Sequence, residues 1–169
     1  MFDEFEMTDL GEMAYFLGMH VYQSTTGIFV NQEKYVIEVL RKFNMENCKS
    51  VDIPLVPNQK LSKDDDAESV DKGQYRSLVG CLLYLTATRP DIMFATSLLS
   101  KFMNQPKETH FKAAKRVLRY VKRSTNFGVW FRRSENFGLM GFSDSDWGGS
   151  MEDMKNTLGY AFFLNYGAI

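Results

Sequence analysis

Cysteine is scarce: Cys48 and Cys81 are the only two in 169 residues. That count excludes a disulfide framework. Cys81 also lies in an apolar helical run, so both read as buried or free thiols rather than bridge or metal partners. No run approaches the roughly 18 to 20 apolar residues that a membrane span requires. The opening Met1-Phe2-Asp3-Glu4-Phe5-Glu6 carries acids where signal and transit peptides carry basic residues. The chain is therefore expected to be intracellular, cytoplasmic or nuclear, with no membrane partner. No internal repeat is visible. What is present, 44% hydrophobic and 14% aromatic residues, suffices for one sizeable core or two small ones.

Acid is missing from one block. Residues 101–133 hold ten Lys or Arg against a single acid, Glu108, while the rest of the chain has ten basic residues facing twenty acidic ones. The formal net charge of -1 conceals this separation. A local basic stripe binds phosphates whatever the remainder carries.

The hydrophobic rhythm divides the chain. Met13 to Tyr22 is aromatic and β-prone, Gln23-Ser24-Thr25-Thr26-Gly27 is turn chemistry, and Ile28-Phe29-Val30 returns as a strand, which predicts a β-hairpin. Asn31 then reads as the N-cap of a helix over Glu33 to Phe43, with Val36, Ile37, Leu40 and Phe43 at helical spacing and packed on the hairpin. From Pro54 the rhythm fades into a polar stretch holding Asp64-Asp65-Asp66, read as a solvated connector. Three helices follow, at about Gln74 to Thr86, Pro90 to Met103 and Pro106 to Arg123, with each proline near a first turn, where its missing N–H costs little. After Gly128 strands return at Val129 to Arg132, Leu139 to Ser143 and Tyr160 to Leu164.

Projection at about 100° per residue makes the third of these helices two-faced. Lys112, Lys115, Arg116, Arg119, Lys122 and Arg123 fall within an arc of roughly 120°, with Phe111, Ala114, Val117, Leu118, Tyr120 and Val121 opposite. Ordinary surfaces interleave both signs, yet this face carries no acid. Phosphate-backbone contact is the reading, with little sequence preference and steep salt dependence.

Several motifs, in order, resemble one family. They are Phe5-Glu6-Met7-Thr8-Asp9-Leu10-Gly11, Tyr15-Phe16-Leu17-Gly18, Gln32-Glu33-Lys34-Tyr35, the stretch from Tyr75 to Thr88-Arg89-Pro90-Asp91, His110, Lys115-Arg116-Val117-Leu118-Arg119-Tyr120 and Ser143-Asp144-Ser145-Asp146-Trp147. Together they resemble the Pol polyprotein of copia-type LTR retrotransposons, from the end of reverse transcriptase into the start of RNase H. The resemblance implies an α+β chain: the end of a palm with its hairpin over 1–53, a linker over 54–73, a helical thumb over 74–127, and the first strands of an incomplete RNase H-like sheet over 128–169. In that frame the hairpin positions a primer end and the basic helix grips an RNA–DNA hybrid or template-primer duplex. The remainder of the polyprotein is a further partner. His110 also matches but is assigned capping or packing, not chemistry.

The resemblance also implies Mg²⁺, since two-metal phosphoryl transfer needs converging carboxylates. The palm's paired aspartates are expected upstream of Met1. Asp64-Asp65-Asp66 cannot replace them without flanking apolar strands. Asp144 matches the carboxylate that ends the first RNase H strand, and Asp146, two residues on, shares its face if the strand continues. A polar turn with Gly148 and Gly149 is the alternative. Stable Mg²⁺ binding is not expected, because the chain ends at Ile169 before the family's later acids. Two departures stand out: Lys122-Arg123-Ser124 replaces the family's Lys-Gly-Thr, and Met154-Lys155-Asn156-Thr157-Leu158 replaces Arg-Lys-Ser-Thr-Ser. The expected function is template-primer binding by a truncated reverse transcriptase and RNase H fragment, inactive alone. The alternative is a catalytically inactive nucleic-acid-binding or protein-interaction module of retroelement origin.

Overall fold

The computed structural model describes residues 11–57, 61–63, 66–136, 138–146 and 157–169, without the side chains of residues 145, 146, 157 and 158. The class is α+β, with two antiparallel sheets and four α-helices among the described residues. The hairpin forms as β2 (Met19–Gln23) and β3 (Gly27–Asn31), closed by Ser24, whose hydroxyl accepts from the amides of Thr26 and Gly27. The run from Met13 is not one strand, however. Leu17 and Gly18 take positive φ of 46° and 74°, so β1 (Tyr15–Phe16) folds back antiparallel on β2.

The fourth strand of this sheet comes from far along the chain. β4 (Gly128–Arg132) pairs along the whole of β3, from Gly27 opposite Arg132 to Asn31 opposite Gly128. The expectation grouped Val129 to Arg132 with the later strands. The structure puts it on the hairpin, where it satisfies the backbone groups of β3 that would otherwise form an open edge.

Helix α1 (Glu33–Lys42) starts after Gln32, with no side-chain cap, and Asn31 is the last residue of β3 rather than the expected cap. Val36, Val39 and Leu40 are its buried positions, while Ile37 is exposed. They do not rest mainly on the hairpin, as expected. They join one core with α2 (Lys72–Leu85), α3 (Met93–Ser100) and α4 (Glu108–Arg123). Burial of its leucines, Leu78, Leu82, Leu85, Leu99 and Leu118, contributes about 1.5–3 kcal/mol each.

Asp71 caps α2 by accepting from the Gln74 amide at 2.6 Å. Pro90 opens a short 3₁₀ turn over Pro90–Ile92 that leads into α3. The polar stretch after Pro54 is docked rather than solvated throughout: Leu55, Leu61 and Val70 pack on the core, and the Glu68 carbonyl accepts from the Glu108 amide at 2.9 Å. Asp64 and Asp65 lie outside the described residues.

A second sheet pairs β5 (Leu139–Asp146), β6 (Thr157–Leu164) and β7 (Gly167–Ala168). It is sutured to the first, since the Arg132 amide donates to the Asn165 carbonyl at 3.0 Å and Phe131 lies against Gly167. Among the described residues no helix is long and apolar enough to cross a membrane.

Candidate nucleic-acid interface

The basic helix α4 is set by its two ends. At its start the buried His110 accepts from the Lys107 amide through Nδ1 at 3.0 Å, so Nε2 carries the proton and meets the Ser62 carbonyl at 3.0 Å. Its ring stacks on Phe102 with centroids 3.9 Å apart. The structure therefore gives His110 capping and packing contacts. Ala113, Ala114, Val117, Leu118 and Val121 bury the inner face.

At the other end, Thr88-Arg89-Pro90-Asp91 forms a knot. Arg89 is 1% exposed; its fork donates to Asp91 at 2.9 and 2.7 Å and to the Ser124 carbonyl and hydroxyl at 2.8 and 2.7 Å. Its guanidinium also lies 5.6 Å from the Tyr120 ring centroid and 5.4 Å from that of Phe127. Tyr120 donates to the Asp91 carboxylate at 2.8 Å. Burial alone would raise the Asp91 carboxyl, but the hydrogen bond and charge of Arg89, joined by Tyr120, hold it below its ordinary value. Burial and the Asp91 charge raise Tyr120 in turn. Thr88 donates to Gln32 at 2.8 Å, so one tetrapeptide ties the start of α1 to the end of α4. The sequence marked this tetrapeptide as a helix end; its role as a clamp on the basic helix had no local signal.

The six basic residues occupy the outer side of α4 in different states. Lys112 is exposed and pairs with Glu108 at 3.2 Å. Exposed Lys115 lies over Phe111, its Nζ 4.3 Å from the ring centroid. Arg116 is half-buried, and its Nε finds no hydrogen-bond partner. Arg119 donates from Nε to the Lys49 carbonyl at 2.6 Å, Lys122 to the Cys48 carbonyl at 2.7 Å, and Arg123 pairs with Asp52 at 2.5 Å. The segment from Cys48 to Asp52 thus straps the second half of the face. This corrects the expectation of a face without acid: Glu108, the first residue of α4, lies on that face beside Lys112, and Asp52 reaches it through tertiary packing that the helical projection could not include. Arg123, standing where the family has glycine, is the last helical residue.

Asp144 is exposed on β5 opposite Gly159, and the strand runs on through Asp146 opposite Thr157. Strand alternation puts these two positions on one face. The side chain of Asp146, and Gly148 and Gly149 altogether, lie outside the described residues. Among the described residues no three His, Cys, Asp or Glu side chains converge as a metal site, so Asp144 does not by itself fit a two-metal centre.

Similarity to known proteins follows the same lines. The reverse transcriptase (RNA-dependent DNA polymerase) family matches residues 1–57. The retrovirus-related Pol polyprotein from transposon RE1 of Arabidopsis thaliana is 38% identical over 96% of this chain, and that from transposon TNT 1-94 of Nicotiana tabacum 37% over 98%. The chain spans only 11% and 13% of those two proteins. An uncharacterized mitochondrial protein of Arabidopsis thaliana is 38% identical over 95% of the chain, which covers 66% of it. No solved structure gives a significant match.

Proposed function

The chain belongs to the family of copia-type, retrovirus-related transposon Pol polyproteins, and on that premise we propose that it contributes the grip on a template-primer duplex or RNA–DNA hybrid. The observation that carries this is the predominantly basic outer face of α4, where Lys112, Lys115 and Arg116 stand side by side with Glu108 as their one acid on the helix. Arg119 and Lys122 extend the row. Each is fixed by one donor on a backbone carbonyl, and each cation has several donors, so part of the ordering cost of meeting a phosphate is already met. Backbone contact of this kind holds a hybrid by charge and shape, not by sequence.

In this reading the helices α2 to α4 act as a thumb and β5 to β7 open an RNase H-like sheet with Asp144 as one carboxylate. Mg²⁺ would serve the whole polyprotein by stabilising the attacking and leaving oxygens. The described residues supply no converging set for it, and the chain alone is expected to cleave nothing. Polymerase and nuclease activity belong to the larger assembly, with the rest of the polyprotein as partner.

Fluorescence anisotropy with a labelled RNA–DNA hybrid across salt concentrations tests the grip. Lys115→Glu with Arg116→Glu should weaken binding equally for all sequences and lower the salt slope by roughly 0.9 for each phosphate no longer neutralised. An unchanged slope removes the proposal. Arg119→Ala should both loosen the strap, lowering the melting temperature, and weaken hybrid binding, because its Nε holds the Lys49 carbonyl while its other donors extend the row.

A further inference from the structure

The first sheet carries a continuous row of rings across all four of its strands. Tyr15 of β1 faces His20 of β2; Tyr22, two residues on, faces Phe29 of β3; and Phe29 faces Trp130 of β4. Successive ring centroids are 5.0, 6.1, 6.1 and 6.3 Å apart. A period of two along each strand and direct cross-strand register place all five on one face. This face is open: Tyr15, Tyr22 and Trp130 are 54%, 50% and 40% exposed. Rings of this size usually bury most of their area.

Cations close both ends of the row. The Lys34 ammonium lies 5.7 Å from the Tyr15 ring centroid. Arg132 follows Trp130 on the same face and lies 6.0 Å from the ring of Tyr166. Beside it is a recess of about 570 Å³ lined by Thr25, Thr26, Arg132, Arg133, Ser134 and Glu135. Two guanidinium groups and three hydroxyls, set against the one carboxylate of Glu135, leave it net basic and a place for a phosphate.

We propose that this face is a stacking platform for single-stranded nucleic acid, with bases on the Tyr15 to Trp130 row and a backbone phosphate at Arg132 and Arg133. A ligand matched to flat rings between cations must be both planar and polyanionic. Neutral sugars and proline-rich peptides can pack on rings, but they are puckered rather than planar and are not polyanionic. A duplex meets the second but hides its base faces, and the ring spacing of 5.0–6.3 Å exceeds the roughly 3.4 Å rise of a stacked strand. Only an unpaired, opened strand places bases at that interval, and base-on-ring stacking tolerates any sequence. The site is distinct from α4 and concerns a different state of the nucleic acid, so it goes beyond the duplex grip.

The test is anisotropy of the 169-residue chain with a labelled twelve-nucleotide oligothymidylate, beside the RNA–DNA hybrid. Tyr22→Ala and Trp130→Ala should each weaken single-strand binding roughly tenfold, Tyr22→Phe should leave it unchanged, and Arg132→Ala with Arg133→Ala should flatten its salt dependence. Tyr22→Thr removes the ring while keeping strand propensity, should an alanine variant fail to fold. In the folded parent, Trp emission should fall on adding the oligonucleotide, and less so in Trp130→Phe. Equal affinity of folded Tyr22→Ala or Tyr22→Thr and the parent overturns the platform, as does salt-insensitive binding. Hybrid binding that depends on Lys115 and Arg116 while the oligonucleotide does not bind overturns the platform alone. The reverse pattern overturns the α4 grip and leaves the platform standing.

Discussion

Arg89 carries its charge into the interior between two rings, with Asp91 and Ser124 taking its donors. Its planar fork suits this geometry in a way a lysine ammonium does not. Arg89→Met should cost roughly 2–4 kcal/mol in urea unfolding, because it strands the Ser124 carbonyl and the Asp91 carboxylate, and Arg89→Lys should lose nearly as much. The same contacts set a pH dependence. A carboxyl held below its unfolded value stabilises the fold above that value and loses this contribution as pH falls through the folded one. The ordinary value of Asp91 is 3.8 and its folded value lies lower, so stability should decline as pH drops below about 4. Asp91→Asn should be less stable at neutral pH and show a shallower acid decline, measured by urea midpoints at several pH values.

Among elements, β4 decides most about the first sheet. Its pairing with β3 depends on Gly128, where an added Cβ would meet the Val30 carbonyl oxygen and stand 2.8 Å from Phe29. The obstacle is backbone, which has little room to shift. Gly128→Ala should therefore open that end of the ladder, speed amide exchange at Val30 and Val129, and lower stability by about 1–3 kcal/mol as ladder hydrogen bonds break. Helix existence was readable from apolar spacing: three of the four helices start or end within a few residues of expectation, as with Lys72–Leu85 and Glu108–Arg123. Pro90 is the exception in kind, since it begins a separate 3₁₀ turn and α3 ends at Ser100. Strand partners were not readable, because period two names the faces of a strand but not its neighbour. The aromatic row was missed for that reason: Tyr22, Phe29 and Trp130 become adjacent only through register.

At the scale of the molecule, the two sheets differ in support. The helical core encloses α1 and its neighbours, whereas the second sheet leaves Leu139, Met140, Phe142, Tyr160 and Phe162 exposed. Three strands without a covering layer gain little from burial. An open apolar groove of about 730 Å³ separates α2 and α3 from this sheet, with Phe94 at its lining 73% exposed. Hydrogen exchange should therefore show two tiers, with β5 and β6 opening at a lower free energy than α2 and α4. Equal protection of both would contradict this difference in support. The segment from Cys48 to Asp52 is strapped to α4, and within the expected linker over 54–73 Leu55, Leu61 and Val70 pack on the helical core.

The sequence alone determined the family, the α+β class, the helices and the placement of basic residues on one side of α4. The family followed from the resemblance of its ordered motifs, and the rest from local spacing and composition, which act within a few turns of chain. Tertiary structure decided which of those cations are strapped, what Arg89 holds, where β4 pairs and that five rings form one row. Each of these joins residues far apart in sequence, and their interaction energies exist only once the chain has closed on itself.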